Sequence, residues 1–186
     1  MAQHDVPFIS QYADIGSHEW RARGCGIAAL KMVIDYWAGS RPSLRVPPLD
    51  ELLQEGLAQG AYREGIGWTH RGLVAVAQRH GFDGFNVDFA EQGQTPKSAD
   101  DAFAALCVQV ERGPVLVSVH SGMDPNRGGG HIVVVTGIHD GIVFYNDPEQ
   151  LEQREGRMAL AAALFTHAFK RRYIVIVPAG SESPRP

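Results

Sequence analysis

The sequence predicts an α+β domain in which an N-terminal helical part packs on a C-terminal antiparallel β-sheet. Two observations carry that reading. Apolar residues recur at helical spacing in the first 110 residues, whereas "PVLVSVH", "HIVVVTGI", "IVFYND" and "RYIVIV" are short and β-branched. Composition agrees, with 44% hydrophobic and 20% charged residues among 186, ordinary globular usage. Residues 1–178 read as one domain and 179–186, "AGSESPRP", as a flexible tail.

The elements follow in order. Residues 6–24 look irregular. From Gly26 to about Ala38 a helix puts Ile27, Leu30, Ile34 and Trp37 on one face, with Lys31 and Asp35 as an i,i+4 pair on another. Gly39, Ser40 and Pro42 end it. A second helix follows Pro48 through "LDELLQEGLA". A third spans "GIGWTHRGLVAVAQRHGF", with Thr69 as N-cap and Gly81 past its end. A strand is expected over 84–89. In "SADDAFAALCVQVERGP" Ser98 caps a helix, Asp101 completes a capping box, and Gly113-Pro114 stop it.

Charge and hydropathy narrow the partners. The net charge is −4 with no long basic run, which argues against nucleic acid and anionic membranes. No apolar run reaches the roughly 18 residues of a spanning helix, so membrane insertion is not expected. The start lacks the regions of a signal peptide. Two cysteines without a CxxC pair suit a reducing, cytoplasmic setting. The oligomeric state is not written in the sequence.

Cys25 stands between Gly24 and Gly26, where a helix begins. A helix start offers unpaired N–H groups and a partial positive charge, which favour a thiolate. The glycines are read as room for a substrate backbone. Cys107, mid-helix on an apolar face with Phe103, Leu106 and Val110, reads as core. A nucleophilic thiol needs a base. His131 follows "NRGGG" and opens a strand, so it stands at a sheet end beside small residues. His120 is the rival; the other histidines, His70 among them, fall in turn, loop or helix-surface contexts.

The base needs an orienting acceptor, and "FYNDPE" supplies Asn146 and Asp147. Register decides between them. A two-residue turn at Asp140-Gly141 pairs 139 with 142 and puts 131 and 147 on opposite faces. A loop of three or five residues puts them on one face, about 7–8 Å apart between Cα atoms in the diagonal case. Asp147 therefore requires an odd loop; an even one favours Asn146. For the oxyanion, the Cys25 backbone N–H and Gln11 are the candidate donors.

"VPFISQY", "GCGIAALKMVIDYW", "GPVLVSVH", "GGHIVVVTGI" and "FYNDP" together resemble the bacteriocin-processing, double-glycine leader peptidase-like group of the papain superfamily, over roughly residues 6–148 with a final strand near 173–177. The resemblance implies a papain-like fold and a cysteine peptidase with Cys25 as nucleophile, His131 as base, Asp147 as orienter and Gln11 as oxyanion donor. It implies a peptide or protein substrate and no metal or organic cofactor. The chain departs from many relatives in carrying Ile27 where they have Pro, and its 11-to-25 gap is longer than in papain. No transporter segments are expected in the same chain.

The cleft is expected to be lined by Gly24, Trp20, Gly130 and the Ser121–Gly130 loop, with "MDPNRGGG" as a lid. The same machinery runs hydrolysis, transpeptidation or deamidation. A non-catalytic peptide-binding module with a papain-like cleft is the alternative. A metal site of His120, His131 and His139 lacks any HExxH or paired-cysteine spacing.

Overall fold

A computed structural model describes residues 3–89 and 98–181. Helix α1 spans Cys25–Ser40 and α2 Leu49–Ala58; strands β1 (Tyr62–Arg63) and β2 (Gly67–Trp68) form a small hairpin; α3 is His70–Gln78. Strand β3 (Phe82–Asp88), α4 (Ala99–Val110), β4 (Val115–Val119), β5 (His131–His139) and β6 (Ile142–Asn146) follow. The chain closes with α5 (Gln153–Gly156), β7 (Arg157–Ala161), α6 (Ala162–Ala168) and β8 (Phe169–Pro178). The expected tail lies mostly outside the described residues, from 182 on.

The predicted caps form. Thr69 accepts from Gly72 N, and Ser98 and Asp101 make the reciprocal capping box. The Lys31–Asp35 pair closes at 2.6 Å. "GIGW" is not helical as expected: Gly67 and Trp68 belong to the hairpin, and Thr69 opens the helix after them.

Six strands make one sheet in the order β3-β8-β4-β5-β6-β7, antiparallel throughout. Helices cover both of its faces. Along β4, β5 and β8, alternate residues enter opposite cores, because side chains alternate across a strand. Leu116, Ile132, Val134, Ile174 and Ile176 pack with α1–α3. Val115, Val117, Val133, Val135, Tyr173 and Val175 pack with α4 and α6. Double coverage explains why β4 and all of β5 but its last residue are buried. No helix among the described residues is long and apolar enough to cross a membrane.

The β5–β6 turn corrects the expected odd loop. It has two residues, Asp140 (φ 54°) and Gly141 (φ 75°), a left-handed pair suited to a tight hairpin. His139 faces Ile142, Ile138 faces Val143 and Gly137 faces Phe144, but the next pairs are Val135 with Tyr145 and Val134 with Asn146. Thr136 is the extra residue of a β-bulge, and a bulge shifts register by one. Parity is therefore restored beyond it, and 131 and 147 share a face despite the even loop. The N-terminal segment fastens the bulge: His4 N donates to Thr136 O at 2.8 Å and Gln3 bridges Gly137.

Candidate active site

Cys25 is the first residue of α1. Its N-cap, Gly24, supplies no side-chain cap, and the first helical bond is Ala28 N to Gly24 O. The N–H groups of Cys25, Gly26 and Ile27 thus precede the helical ladder. The turn before the helix is latched twice: Gln11 Nε2 donates to Arg21 O at 2.8 Å, and Trp68 Nε1 to Arg23 O at 2.7 Å.

The bracketing glycines serve packing, which corrects their reading as room for substrate. A Cβ on Gly24 would stand 2.1 Å from Ile15 Cδ1, and one on Gly26 2.6 Å from Trp68. Protein already fills that space, and Gly24 is buried.

The sheet supplies the other half of the site. His131 Nε2 lies 2.6 Å from Asp147 Oδ1, both groups buried. With Nε2 so engaged, Nδ1 is the ring nitrogen left for the Cys25 thiol, which stands near enough to the ring to raise its pKa. Burial pushes the ring towards neutrality. The hydrogen bonds to Asp147 and Cys25, with their charges, outweigh burial and raise it to about 10. Burial pushes Asp147 up, yet the His131 bond and the N–H of Glu149 (2.9 Å) hold it below its ordinary value. The structure thus brings Cys25, His131 and Asp147 together around one imidazole.

Asn146, favoured for an even loop, does not take that role. Its Nδ2 donates to Val6 O at 3.3 Å and faces Met32 Sδ. It holds the N-terminal segment. Gln11 is 1% exposed and its backbone N–H donates to Pro148 O at 2.8 Å. It therefore ties the Asp147 turn to the turn before Cys25. Its Oε1 has no partner, and one Nε2–H remains beyond the bond to Arg21.

Cys25 and His131 open into a cavity of about 780 Å³, which Gly130 also lines. Gly24 and Trp20 do not line it. Trp20 packs edge-on against Tyr62 with ring centroids 4.9 Å apart. Of the expected loop, Gly129 and Gly130 reach the cavity, held by Lys170 Nζ on Gly129 O at 3.1 Å. Asp124 ties the loop's own turn through Asn126.

The sequence reading passed over His70. It opens α3, and its Nε2 meets Ser118 Oγ at 2.7 Å on the cavity wall. Burial, then Arg172, lower its pKa against the pull of Asp88. The Thr69 cap, which fixes His70 at the helix start, was the signal available.

The three-histidine metal reading fails on distance. His131 and His139 stand at opposite ends of β5, about 26 Å apart at strand rise. Among the described residues, the group with metal-compatible spacing is His131, Asp147 and Glu149. There the Asp147 oxygen already accepts from His131 and from Glu149 N. Cys107 is half-buried at the rim of the α4 core rather than inside it.

The family model described as the Peptidase_C39 like family matches residues 3–179. Solved structures share the fold. A C39-like peptidase from Bacillus anthracis is 17% identical with a TM-score of 0.65, the match covering 96% of this chain and 97% of that one. A double glycine motif protease from an AMS/PCAT transporter, solved in complex with the leader peptide, is 18% identical with a TM-score of 0.58, covering 96% and 95%. The peptidase domain of Streptococcus ComA, a bi-functional ABC transporter, is 17% identical with a TM-score of 0.53, covering 90% and 98%. No curated protein matches the sequence.

Proposed function

We propose that this chain, which belongs to the Peptidase_C39 like family, is a cysteine peptidase working through a Cys25–His131–Asp147 triad. The supporting observation is the buried 2.6 Å His131–Asp147 contact with the Cys25 thiol at the other side of the ring. A protonated imidazole beside the sulfur stabilises the thiolate that attacks.

Cys25 Sγ adds to the carbonyl of a peptide bond. The Cys25 backbone N–H and the remaining Gln11 Nε2–H receive the developing oxyanion. His131 Nδ1 gives its proton to the leaving amine, and the C–N bond breaks. Water then attacks the thioester while His131 takes back a proton, which releases the acid and restores the thiol. Asp147 keeps the ring oriented and stabilises its charge throughout. No metal or organic cofactor enters these steps. An amine in place of water gives transpeptidation from the same acyl-enzyme.

The test is cleavage of a peptide library by the native chain and by Cys25→Ala. Cleavage by the native chain and a loss of at least about a thousandfold in the variant is expected. Retained cleavage in Cys25→Ala would overturn the assignment.

A further inference from the structure

We propose that the cleft selects acidic peptides, an inference that rests on the peptidase assignment for its placement beside Cys25. Five cationic side chains line the cavity: Arg23, Arg63, Arg71, Lys170 and Arg172; among the described lining residues Asp88 is the one acid. They come from separate places in the chain, the turn before α1, β1, α3 and β8. The whole chain carries 21 acidic and 17 basic residues, so its average surface leans the other way. The positive lining is thus local to the cavity that holds the thiol.

Two of the five are answered within the protein and one is loosely held. Arg172 Nε stands 2.7 Å from Asp88 Oδ2, though not aligned as a hydrogen bond. Lys170 spans to Gly129 O. Arg23 meets Glu64 at 3.4 Å, an exposed pair of the kind worth little in water. Arg63 and Arg71 are exposed and make no ion pair with any of the described residues. They leave two guanidinium forks at the mouth, each able to take a carboxylate through two N–H donors. A cleft lined with one sign of charge concentrates the opposite sign and speeds encounter. Asp and Glu side chains of the bound segment are the matching groups.

The test uses the full chain as Cys25→Ala, so that binding is read without turnover. Two fluorescent peptide libraries of equal length are compared, the second with every Asp and Glu replaced by Asn and Gln. The acidic library should bind roughly tenfold tighter at low salt, and the gap should close as salt is raised. Arg63→Glu with Arg71→Glu should narrow the gap to about twofold at unchanged melting temperature. Equal binding of the two libraries, binding of neither, or a gap indifferent to salt and to the double reversal would overturn the proposal. So would displacement of the peptides by a DNA duplex at lower charge concentration than by free acidic peptide. Native-chain turnover separates the two readings. Equal binding with cleavage of both libraries sinks charge selection alone, whereas acid-selective binding without Cys25-dependent cleavage sinks the peptidase assignment alone.

Discussion

Two helices carry the two cysteines, and they begin differently. At α1 no side chain closes the N-terminus, and Cys25 is its first residue. At α4 the Ser98–Asp101 box satisfies the first turn, and Cys107 lies in the helix body. Across from Cys25 stands a charged imidazole; around Cys107 stand apolar groups, and burial pushes its thiol up. The same side chain is thus placed once where donors and a charge converge and once where neither is available. A missing cap, usually a cost of about 1 kcal/mol, marks the end of the helix that faces the cavity.

Labelling offers the sharpest way to break this contrast. An alkylating probe should modify Cys25 roughly a hundredfold or more faster than Cys107 at pH 7, read by mass spectrometry of the digested chain. His131→Gln should bring the two rates together. Equal, slow labelling in the native chain would favour a peptide-binding module without chemistry.

Asp147→Asn tests the sheet side of the site. It keeps the shape but removes the charge that stabilises the imidazolium, so kcat should fall on the order of a hundredfold with KM little changed. An unaltered kcat would reduce Asp147 to a structural role.

The pH dependence of stability follows from the same pair. The folded His131 value, about 10, lies above its ordinary 6.5, so its contribution is complete below pH 6.5 and fades as pH rises through about 10. The Asp147 value is lowered, so its contribution is present above the ordinary 3.8 and is lost as pH falls through the folded value. Melting temperature should therefore hold a plateau between about pH 4 and 6.5 and decline on both sides. His131→Gln should flatten the alkaline limb; an identical decline in that variant would show that other groups set it.

What the sequence disclosed was what local chemistry decides. Thr69 and Ser98 announce their helices because their hydroxyls bond groups three residues away. The β-branched runs mark the central strands. Residues 149–168 carry little local signal, because β7 lies at the sheet edge with a weakly patterned sequence and its Ala-rich neighbour α6 has no side-chain cap. The hairpin β1–β2 has two residues a side, too short for any period. Cys25 and His131 are singled out in the sequence by their glycines, although the glycines at Cys25 make room for Ile15 and Trp68. Register was not legible, since the Thr136 bulge is secured by His4, far away in sequence. Nor was the His70–Ser118 pair, whose members lie 48 residues apart.

The smallest effects return to the two helix starts. Ser98→Ala removes the cap of α4 and should cost about 1 kcal/mol by denaturant unfolding, with cleavage unchanged, because α4 contributes nothing to the cavity lining. Gly24→Ala forces a methyl group towards Ile15 Cδ1, where 2.1 Å is available. Overpacking of this kind costs about 1–3 kcal/mol, and relief requires Ile15 or the turn before Cys25 to move. That turn is fixed by Gln11 and Trp68 at its carbonyls, so its displacement carries the sulfur away from His131. Gly24→Ala should therefore lower kcat as well as stability, whereas Ser98→Ala lowers stability alone. If both variants lost stability and neither lost turnover, the start of α1 would be no more than a packed joint, and the contrast between the two helices would not bear on chemistry.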